Sequence, residues 1–381
     1  MPPSLTLRPE HVLLLRQFLI HEQRSRADLV QATGWTRRTV ALRLSELLGL
    51  GWLVPAEAPA PTGQPGRPTT LFRLLDERVL VLVTLFDWKV FTSALVTLRG
   101  RVLQESTVRF DLADGPTAAA RLAADQTDSM VRAARLQRTD IVTAVVGLPS
   151  PVEDRAKVLN PRLSQWQHSV VGDEFRNTLG IAVLTENDAN LMALGEFADH
   201  QDCTCLFLRV GGGGIGLGTV IRGQLHRGLR NLAGELGRVP TRTGYGSSPS
   251  QLLRDVASTP AILAHARSLG IEVGTVAQLG RFVEQGHPAA TAALERAGTQ
   301  LGKVMIPITE ALAPHHIAIG GVAVLFNEHL LGAFRSELLP ALHPVLSESL
   351  SIRSSPSHLY AAARGATALA TEHLLLGRAQ V

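Results

Sequence analysis

Cysteine is nearly missing from this sequence: among 381 residues there are two, Cys203 and Cys205. Two thiolates with no nearby histidine or further cysteine make only half of a tetrahedral metal site. The pair therefore favours buried, reduced thiols over a metal clip. The adjacent histidines His315 and His316 are likewise expected to lie at a strand edge or in the core, without a ligand role.

Long apolar runs are also missing. No stretch approaches the roughly 20 apolar residues that a membrane helix needs, and the N-terminal segment carries the acidic Glu10 and no small-residue cleavage site. We therefore expect a cytoplasmic protein with no membrane partner. Because 45% of the 381 residues are hydrophobic, the chain can form the cores of two or three domains.

Lysine is absent from residues 1–75, which hold nine arginines against five acidic residues. This surplus of four equals the net charge of the whole chain, so the remaining residues are neutral in sum. Positive charge confined to one end of the chain is what attraction to a phosphate backbone requires. Since the surplus is modest, it predicts strongly salt-dependent binding that dimerisation assists.

Residues 25–54 follow the pattern of a helix-turn-helix that leads into a wing. Ser25 and Thr36 are of helix N-cap type, and Gly34 interrupts the two helical runs at the spacing of this motif. Residues 9–21 carry leucines and an isoleucine at helical spacing, which predicts a first helix packed behind the pair. The segment therefore predicts a DNA-reading module with a three-helix core.

The second helix of this motif has two distinct faces. Its apolar residues recur at i, i+4, i+7 and i+8, which predicts a buried face formed by Val40, Leu44, Leu47 and Leu48. The residues on or beside the opposite face are Arg37, Arg38, Leu42, Arg43 and Ser45. An outward Leu42 is either an ordinary exposed apolar residue or a contact to a thymine methyl group. The arginines beside it suit phosphates or guanine edges, and contact with another protein is the alternative use of such a helix.

Residues 55–70 are rich in proline, glycine and small residues, which predicts a wing tip that runs into a linker. Within it, Arg67 follows a Pro-Gly pair and precedes another proline. An arginine presented in this way either enters a narrow A·T-rich minor groove or is incidental to a plain linker. The residues predicted to contact DNA are therefore Ser25, Arg26, Thr36, Arg37, Arg38, Thr39, Leu42, Arg43 and Arg67.

After residue 75 strands and helices alternate, which predicts a layered α/β body. The predicted elements are strands at 79–85 and 93–98 joined as a hairpin, a helix at 117–136, and strands at 141–146 and 182–185. Three loops with polar or glycine-rich sequences follow strands, the position at which such sheets bind ligands: residues 185–190, 209–218 and 318–322. The four glycines from 211 to 214 either let backbone amides approach an anion or make a tight bend.

Four segments, in this order, resemble the ROK family of bacterial sugar kinases and transcriptional repressors. SRADLVQATGWTRRTV resembles its helix-turn-helix, GQPGRPTTLFRL its Gly-Arg linker, LTENDANLMALGE its sugar-site motif and NLAGELGRV its Gly-Glu-x-Gly-His motif. The resemblance implies an α/β fold in which a winged helix-turn-helix precedes an actin-like, ribonuclease-H-type body of two lobes with a ligand cleft between them. The implied domains are the winged helix-turn-helix at 1–60, a wing and linker segment with the Gly-Arg motif at 61–75 and the sugar-kinase-like body at 76–381.

Two features of the family's kinases are altered in this chain. Their first phosphate loop has an aspartate followed by glycines, whereas residues 85–89 read Leu-Phe-Asp-Trp-Lys, and without glycine the backbone cannot cradle a phosphate. The position of the family's zinc-binding histidine is Arg238, which has no lone pair for a metal, and residues 241–250 contain no cysteine. We therefore expect no kinase activity, no cofactor and no structural zinc.

The sugar site is partly retained. By resemblance, Asn187, Asp188 and Glu235 hydrogen-bond sugar hydroxyls, and Asp188 holds the position of the kinases' general base. Arg238 and Arg162 add positive charge, and no residue clearly matches the glutamate that follows the family's cysteines. These arginines indicate either an anionic effector, such as a sugar phosphate or sugar acid, or ion pairs with the carboxylates in a silent site. A neutral sugar is the third alternative.

Together these features predict a transcriptional regulator of the repressor type that binds double-stranded operator DNA. A homodimer or a dimer of dimers would place two recognition helices on half-sites about one or more helical turns apart. A sugar or sugar-phosphate effector would change the angle between the lobes and hence the spacing of the readers. The rival functions are an ATP-dependent sugar kinase and an effector-independent DNA-binding protein.

Overall fold

The fold was analysed in a computed structural model of the whole chain. The residues that it describes are 7–56, 70–87, 89–153, 157–158, 163–167, 170–241, 251–321, 327–355 and 358–376. They form a small N-terminal module with a three-stranded sheet and a body built on two five-stranded sheets. Among the helices so described, none has the length and apolar character that crossing a membrane requires.

The N-terminal module, here called the reader, is a winged helix-turn-helix. Its elements are α1 Pro9–Ile20, β1 Arg24–Ser25, α2 Arg26–Thr33, α3 Arg37–Gly49, β2 Leu53–Ala56 and β3 Leu71–Leu74. The predicted first helix and helix pair are thus confirmed. The predicted buried face of α3 is also present, since Val40, Leu44 and Leu47 are buried, while Leu48 is partly buried.

Local capping explains why the two helices of the motif begin and end where they do. The Ser25 hydroxyl accepts a hydrogen bond from the Asp28 amide, and the Asp28 carboxylate accepts one from the Ser25 amide. Gly34 ends α2 in the left-handed conformation at φ 69°, which glycine adopts without steric cost. The Thr36 hydroxyl then caps α3 by accepting from the Thr39 amide.

The wing includes a strand that the composition does not predict. Residues 71–74, at the end of the predicted wing and linker segment, form β3, which lies between β1 and β2 and pairs with both in antiparallel register. Buried Phe72 and Leu74 tie this strand into the reader core. The reader sheet is therefore completed only after the Pro/Gly-rich segment, and Arg67 in that segment lies outside the described residues.

The first lobe of the body carries one five-stranded sheet. Its elements, in chain order, are β4 Leu80–Asp87, β5 Val90–Thr97, β6 Val102–Arg109, α4 Gly115–Ala133, β7 Ile141–Leu148, β8 Val152–Glu153, β9 Lys157–Val158, α5 Ser164–Gln167, α6 Val171–Leu179, β10 Ala182–Asn187 and α7 Asp188–Glu196. The strand order is β10-β7-β4-β5-β6, with an antiparallel meander followed by two parallel strands.

The second lobe repeats this topology. Its elements are β11 Thr204–Val210, β12 Ile215–Ile221, β13 Gln224–Leu225, β14 Pro240–Thr241, β15 Gln251–Leu252, α8 Leu253–Ala257, α9 Thr259–Ser268, α10 Val276–Glu284, α11 Pro288–Leu312, β16 His316–Gly321, α12 Gly332–Leu338, α13 Pro344–Ser349, β17 Ser351–Ser354 and α14 His358–Leu376. The sheet order is β13-β12-β11-β16-β17, again a meander followed by two parallel strands. This duplication confirms the predicted two-lobed, actin-like body.

The first hairpin of the body is tighter than predicted. The loop expected at residues 86–92 is instead a short turn, because β4 continues to Asp87 and β5 begins at Val90. Phe86 and Phe91 are paired across the strands with ring centroids 4.7 Å apart and are fully buried. Burial of these two rings favours strand over loop, and it carries Asp87 to the tip of the hairpin.

The two cysteines lie at the start of β11. Cys205 is buried and Cys203 partly buried, and both thiols are free, as predicted. Burial raises the pKa of the Cys205 thiol to about 12, which disfavours the thiolate that metal binding or redox chemistry would need. His315 lies just before the neighbouring strand β16, where its Nδ1 accepts from the Thr204 amide.

Helices α7 and α14 cross at unusually close range. A Cβ added to Gly195 would lie 1.8 Å from the Ala361 carbonyl oxygen, and one added to Gly365 would lie 1.8 Å from the Leu191 carbonyl oxygen. Only glycine permits this approach of two helix backbones. Because α14 also packs against α1 of the reader, this crossing connects the body to the reader.

Candidate functional site

The recognition helix α3 presents a polar outer face. Arg37 and Arg38, in its first turn, are exposed, and the Leu42 side chain one turn later is 53% exposed. Arg26 at the start of α2 is also exposed and lies over the Phe72 ring, 5.5 Å from its centroid. Arg37, Arg38 and Leu42, which helical periodicity predicts to face outward on α3, therefore do so.

Four other residues predicted to contact DNA, Ser25, Thr36, Thr39 and Arg43, form hydrogen bonds within the reader. Ser25 is only 5% exposed and caps α2, and Thr36 caps α3 while its hydroxyl also bonds that of Thr39. Arg43 donates to both carboxylate oxygens of Glu46 at 3.0 and 2.7 Å. Glu46 also meets His11 Nε2 at 2.7 Å, and its hydrogen bonds to Arg43 and His11 lower its pKa to about 2. These side chains hold the motif together, so contact with DNA would compete with their internal bonds.

A cleft of about 580 Å³ opens between the two lobes of the body. It lies at the carboxyl end of β10, beside the glycine run that joins β11 to β12. Its charged and polar lining residues are Asn187, Asp188, Arg209, Glu235, Arg238 and Arg254. The fold therefore brings together four of the five predicted effector-site residues, and the fifth, Arg162, lies outside the described residues.

Arg209 is the central charge of this cleft, and the sequence motifs do not single it out. It is the next-to-last residue of β11, between the apolar Leu208 and Val210, and is 6% exposed. Its Nε stands 3.1 Å from Asp188 Oδ2, and its Nη2 stands 3.5 Å from Asp87 Oδ1. In the sequence, Arg209 could have been recognised as a site residue from its charge, because a charged residue in a buried strand requires a partner.

The glycine run accommodates Arg209 and Asp87. A Cβ on Gly211 would come within 2.3 Å of Arg209 Nη1, so glycine is needed for the guanidinium to pass. The Gly212 amide donates to Asp87 Oδ1 at 3.1 Å across the interface between the lobes. A backbone donor that could meet a phosphate is thus already bound to a carboxylate of the protein.

The sugar-site motif is held by its own hydrogen bonds. The Asn187 side chain caps α7 by accepting from the Ala189 and Asn190 amides. Glu186 is buried and accepts from the Asn190 side chain at 2.9 Å and from Arg227 Nε at 2.9 Å. Asp188, the first residue of α7, accepts from the Ala189 amide at 2.7 Å. The motif therefore fixes Asp188 rigidly at the cleft.

Burial perturbs both acidic groups of the cleft. Burial raises the pKa of Asp188 to about 6, although Arg209 opposes the shift. Burial and the charge of Asp188 raise the pKa of Glu235 to about 7, while Arg238 opposes it. Asp188 Oδ2 and Arg209 Nε form an ion pair at 3.1 Å, and both atoms are buried without a hydrogen bond within the described residues. The cleft therefore combines two acidic groups of raised pKa with a buried arginine, a pattern typical of functional sites.

Replacing Glu235 with glutamine is expected to stabilise the protein above pH 7. Folding raises this pKa from 4.5 to about 7. The free energy of unfolding of the wild type therefore falls by on the order of 3 kcal/mol as the pH rises through that interval. Glutamine removes this ionisation, so the melting temperature of Glu235→Gln should exceed that of wild type at pH 8 and differ little at pH 5. Glu105→Gln, at an exposed position on β6, is the matched control. An equal gain at both pH values would contradict the ionisation account.

The arginines of the second lobe differ in their surroundings. Arg238 is exposed at the cleft, in the short turn after Glu235. Arg254, on α8, was not predicted as a site residue; its Nε is buried and has no hydrogen bond within the described part of the chain. Residues 242–250, where a cysteine cluster was sought in the sequence, lie outside that part. Among the described residues no group of three or more His, Cys, Asp or Glu side chains could hold a metal.

Comparison with known proteins places these features in context. A sequence model of the ROK family matches residues 89–373. The xylose repressor of Bacillus spizizenii is 21% identical over 373 residues, which cover 95% of each chain. A glucokinase of Halalkalibacterium halodurans is 24% identical over 282 residues, which cover 68% of this chain and 85% of that protein. The crystal structure of a ROK family transcriptional regulator, a homolog of the E. coli MLC protein, has a TM-score of 0.77 at 20% identity and 97% coverage of both chains.

Proposed function

Because the chain belongs to the ROK family, we propose that it is a cytoplasmic, DNA-binding transcriptional repressor whose kinase-like body senses a sugar or sugar derivative without kinase activity. The repressor relative aligns along 95% of the chain, whereas the glucokinase relative covers 68% of it. This difference favours a function that uses the reader as well as the body.

The observation that carries the proposal is the exposed arginine face of α3 within the winged helix of the reader. Arg37 and Arg38 stand free of ion pairs within the described residues, and the surplus positive charge of the chain lies in the same segment. We assign base-edge or phosphate contacts to Arg26, Arg37, Arg38, Thr39 and Leu42, and minor-groove contact to Arg67 from its sequence context. Two copies of the chain would place two such helices on a two-fold symmetric operator.

The structure of the first hairpin is the reason for proposing that the protein has no kinase activity. In place of a backbone cradle, this turn presents the Asp87 carboxylate, which already accepts from the Gly212 amide and faces Arg209. A phosphate brought to the same amide would displace that carboxylate and meet its negative charge at short range.

A gel-shift assay with the full-length protein tests the repressor function. The protein is expected to bind a duplex enriched from a random DNA pool far more tightly than an unrelated duplex, with affinity falling steeply as salt increases. A sugar that occupies the cleft is expected to change that affinity by about 5-fold to 150-fold. Failure to enrich any sequence would overturn the DNA-binding function. Affinity unchanged by every sugar and sugar derivative would favour an effector-independent DNA-binding protein.

A coupled ATP-consumption assay separates the repressor from the rival sugar kinase. With D-glucose or D-xylose as acceptor, the wild-type protein should consume ATP no faster than the Asp188→Asn variant. Turnover by wild type that this variant abolishes would show that the hairpin does hold a nucleotide. The gel-shift result would then decide whether the protein also regulates transcription.

A further inference from the structure

Two charged side chains continue the outward rows of the recognition helix beyond the residues assigned to DNA. Arg43 follows Thr39 by four residues, and Glu46 follows Leu42 by four. Residues four apart on a helix lie one above the other on the same side. With α3 against a duplex, Arg43 and Glu46 therefore come next along the helix after the assigned contacts. Arg43 carries the charge that phosphates attract, and Glu46 the charge that they repel.

The ion pair with Glu46 keeps Arg43 on the flank of the helix. Nη1 of Arg43 donates to Oε1 and Oε2 of Glu46 at 3.0 and 2.7 Å. The Arg43 side chain is only 16% exposed, and its Nε is buried without a hydrogen bond within the described residues. The position of this guanidinium thus depends on the carboxylate three residues further along α3.

Glu46 is itself fixed by the first helix. Its Oε2 lies 2.7 Å from Nε2 of His11, which is 3% exposed, and Nδ1 of His11 accepts from the Arg8 amide at 3.3 Å. Because Nδ1 is an acceptor, the neutral ring carries its proton on Nε2 and donates it to Glu46. The hydrogen bonds from Arg43 and His11 lower the pKa of Glu46 to about 2, so the carboxylate is charged at neutral pH. His11 and Glu46 therefore join α1 to the flank of α3 that holds Arg43.

We propose that Glu46 is a positioning residue that withholds Arg43 from the DNA backbone and so limits the affinity of the reader for DNA of any sequence. The proposal rests on the proposed DNA-binding function and names a residue that sets its strength. Release of Arg43 to a phosphate would leave the Glu46 carboxylate without its cation beside other phosphates, which like-charge repulsion opposes. Glutamine at position 46 removes that repulsion, and its neutral amide holds Arg43 about half as strongly as the carboxylate does.

Fluorescence anisotropy of the full-length protein with the enriched operator and a scrambled duplex, at a series of salt concentrations, tests this role. Glu46→Gln should bind both duplexes at least about 10-fold more tightly than wild type, since each reader gains a charge-assisted contact. The slope of log Kd against log salt concentration should steepen by about 0.9 for each reader that gains one phosphate contact. Because this slope counts phosphate contacts, it separates a released arginine from the mere loss of a negative charge.

Three variants assign the effect to the released arginine. The double variant Arg43→Gln/Glu46→Gln should lose the steeper slope, whereas Glu46→Asp keeps the carboxylate and should stay close to wild type. Glu22→Gln subtracts the same charge from an exposed position after α1 and should leave the slope unchanged. The melting temperature of each variant reports its folding. If glutamine destabilises the reader, Glu46→Ala, which keeps a good helix former, repeats the test with the same expected steepening.

A salt slope unchanged in both Glu46→Gln and Glu46→Ala would overturn the proposal, as would a steeper slope that persists when Arg43 is also replaced. Loss of affinity for the operator alone in Glu46→Gln would equally overturn it, because the carboxylate would then be a contact to a base. Wild-type protein that binds neither duplex would instead overturn the DNA-binding function on which the proposal rests.

Discussion

Replacing Arg38 with alanine is expected to weaken binding to the enriched operator by roughly 30-fold to 10,000-fold. Arg38 is exposed in the first turn of α3, the part of a recognition helix that reaches base edges. One bidentate contact to a guanine contributes about 1 to 3 kcal/mol of discrimination, and a two-fold symmetric complex contains it twice. The measurement is a fluorescence-anisotropy titration of wild type and Arg38→Ala against the operator and a scrambled duplex.

The control for this experiment is Arg16→Ala. Arg16 is also an exposed arginine of the reader, but it lies on α1, which packs behind the helix pair. Its removal subtracts the same charge and should cost little affinity. If Arg38→Ala instead lost affinity equally for the operator and the scrambled duplex, Arg38 would contact phosphates and would not read sequence.

The helical period of the reader was sufficient to predict which side of α3 faces outward, but not what each side chain does there. Arg43 flanks the same face as Arg37, yet it is held by Glu46, three residues along the helix. Glu46 is in turn fixed by His11 of α1, a contact between distant parts of the chain that no local pattern contains. The distinction between a free and a bound arginine therefore required the tertiary structure.

In the cleft, too, sequence motifs predicted some of the residues, whereas the role of others appears only in the tertiary structure. Asn187, Asp188 and Glu235 were predicted because they lie in segments with a recognisable order of residues, and the fold brings them to one cleft. Arg209 begins the predicted glycine loop at 209–218 but was given no role there, and Arg254 lies outside the recognised segments. The significance of both residues depends on what surrounds them. Asp87 lies in the segment predicted to lack a phosphate cradle, but its hydrogen bond with the Gly212 amide joins hairpins of two different lobes, which no local pattern contains.

The close crossing of α7 and α14 depends on two glycines that are far apart in the sequence. Helix α7 begins at Asp188, in the cleft, and α14 packs against both α7 and α1. A change in the position of α7 on ligand binding would therefore move α14 and, through it, the reader. Such a helix pair has few ways to shift without clash, because its backbones are already in contact at Gly195 and Gly365.

Replacing Gly365 with alanine is accordingly expected to destabilise the protein by about 3 kcal/mol or more, the upper end of the range for overpacking. The new Cβ would lie 1.8 Å from the Leu191 carbonyl oxygen, a backbone atom that cannot rotate away. The helices must then separate, which should lower the melting temperature and weaken the effect of ligand on operator affinity. Gly332→Ala is the matched control, since a Cβ at that position in α12 meets nothing within 4 Å. A variant with unchanged melting temperature and ligand response would show that the crossing neither limits stability nor connects the cleft to the reader.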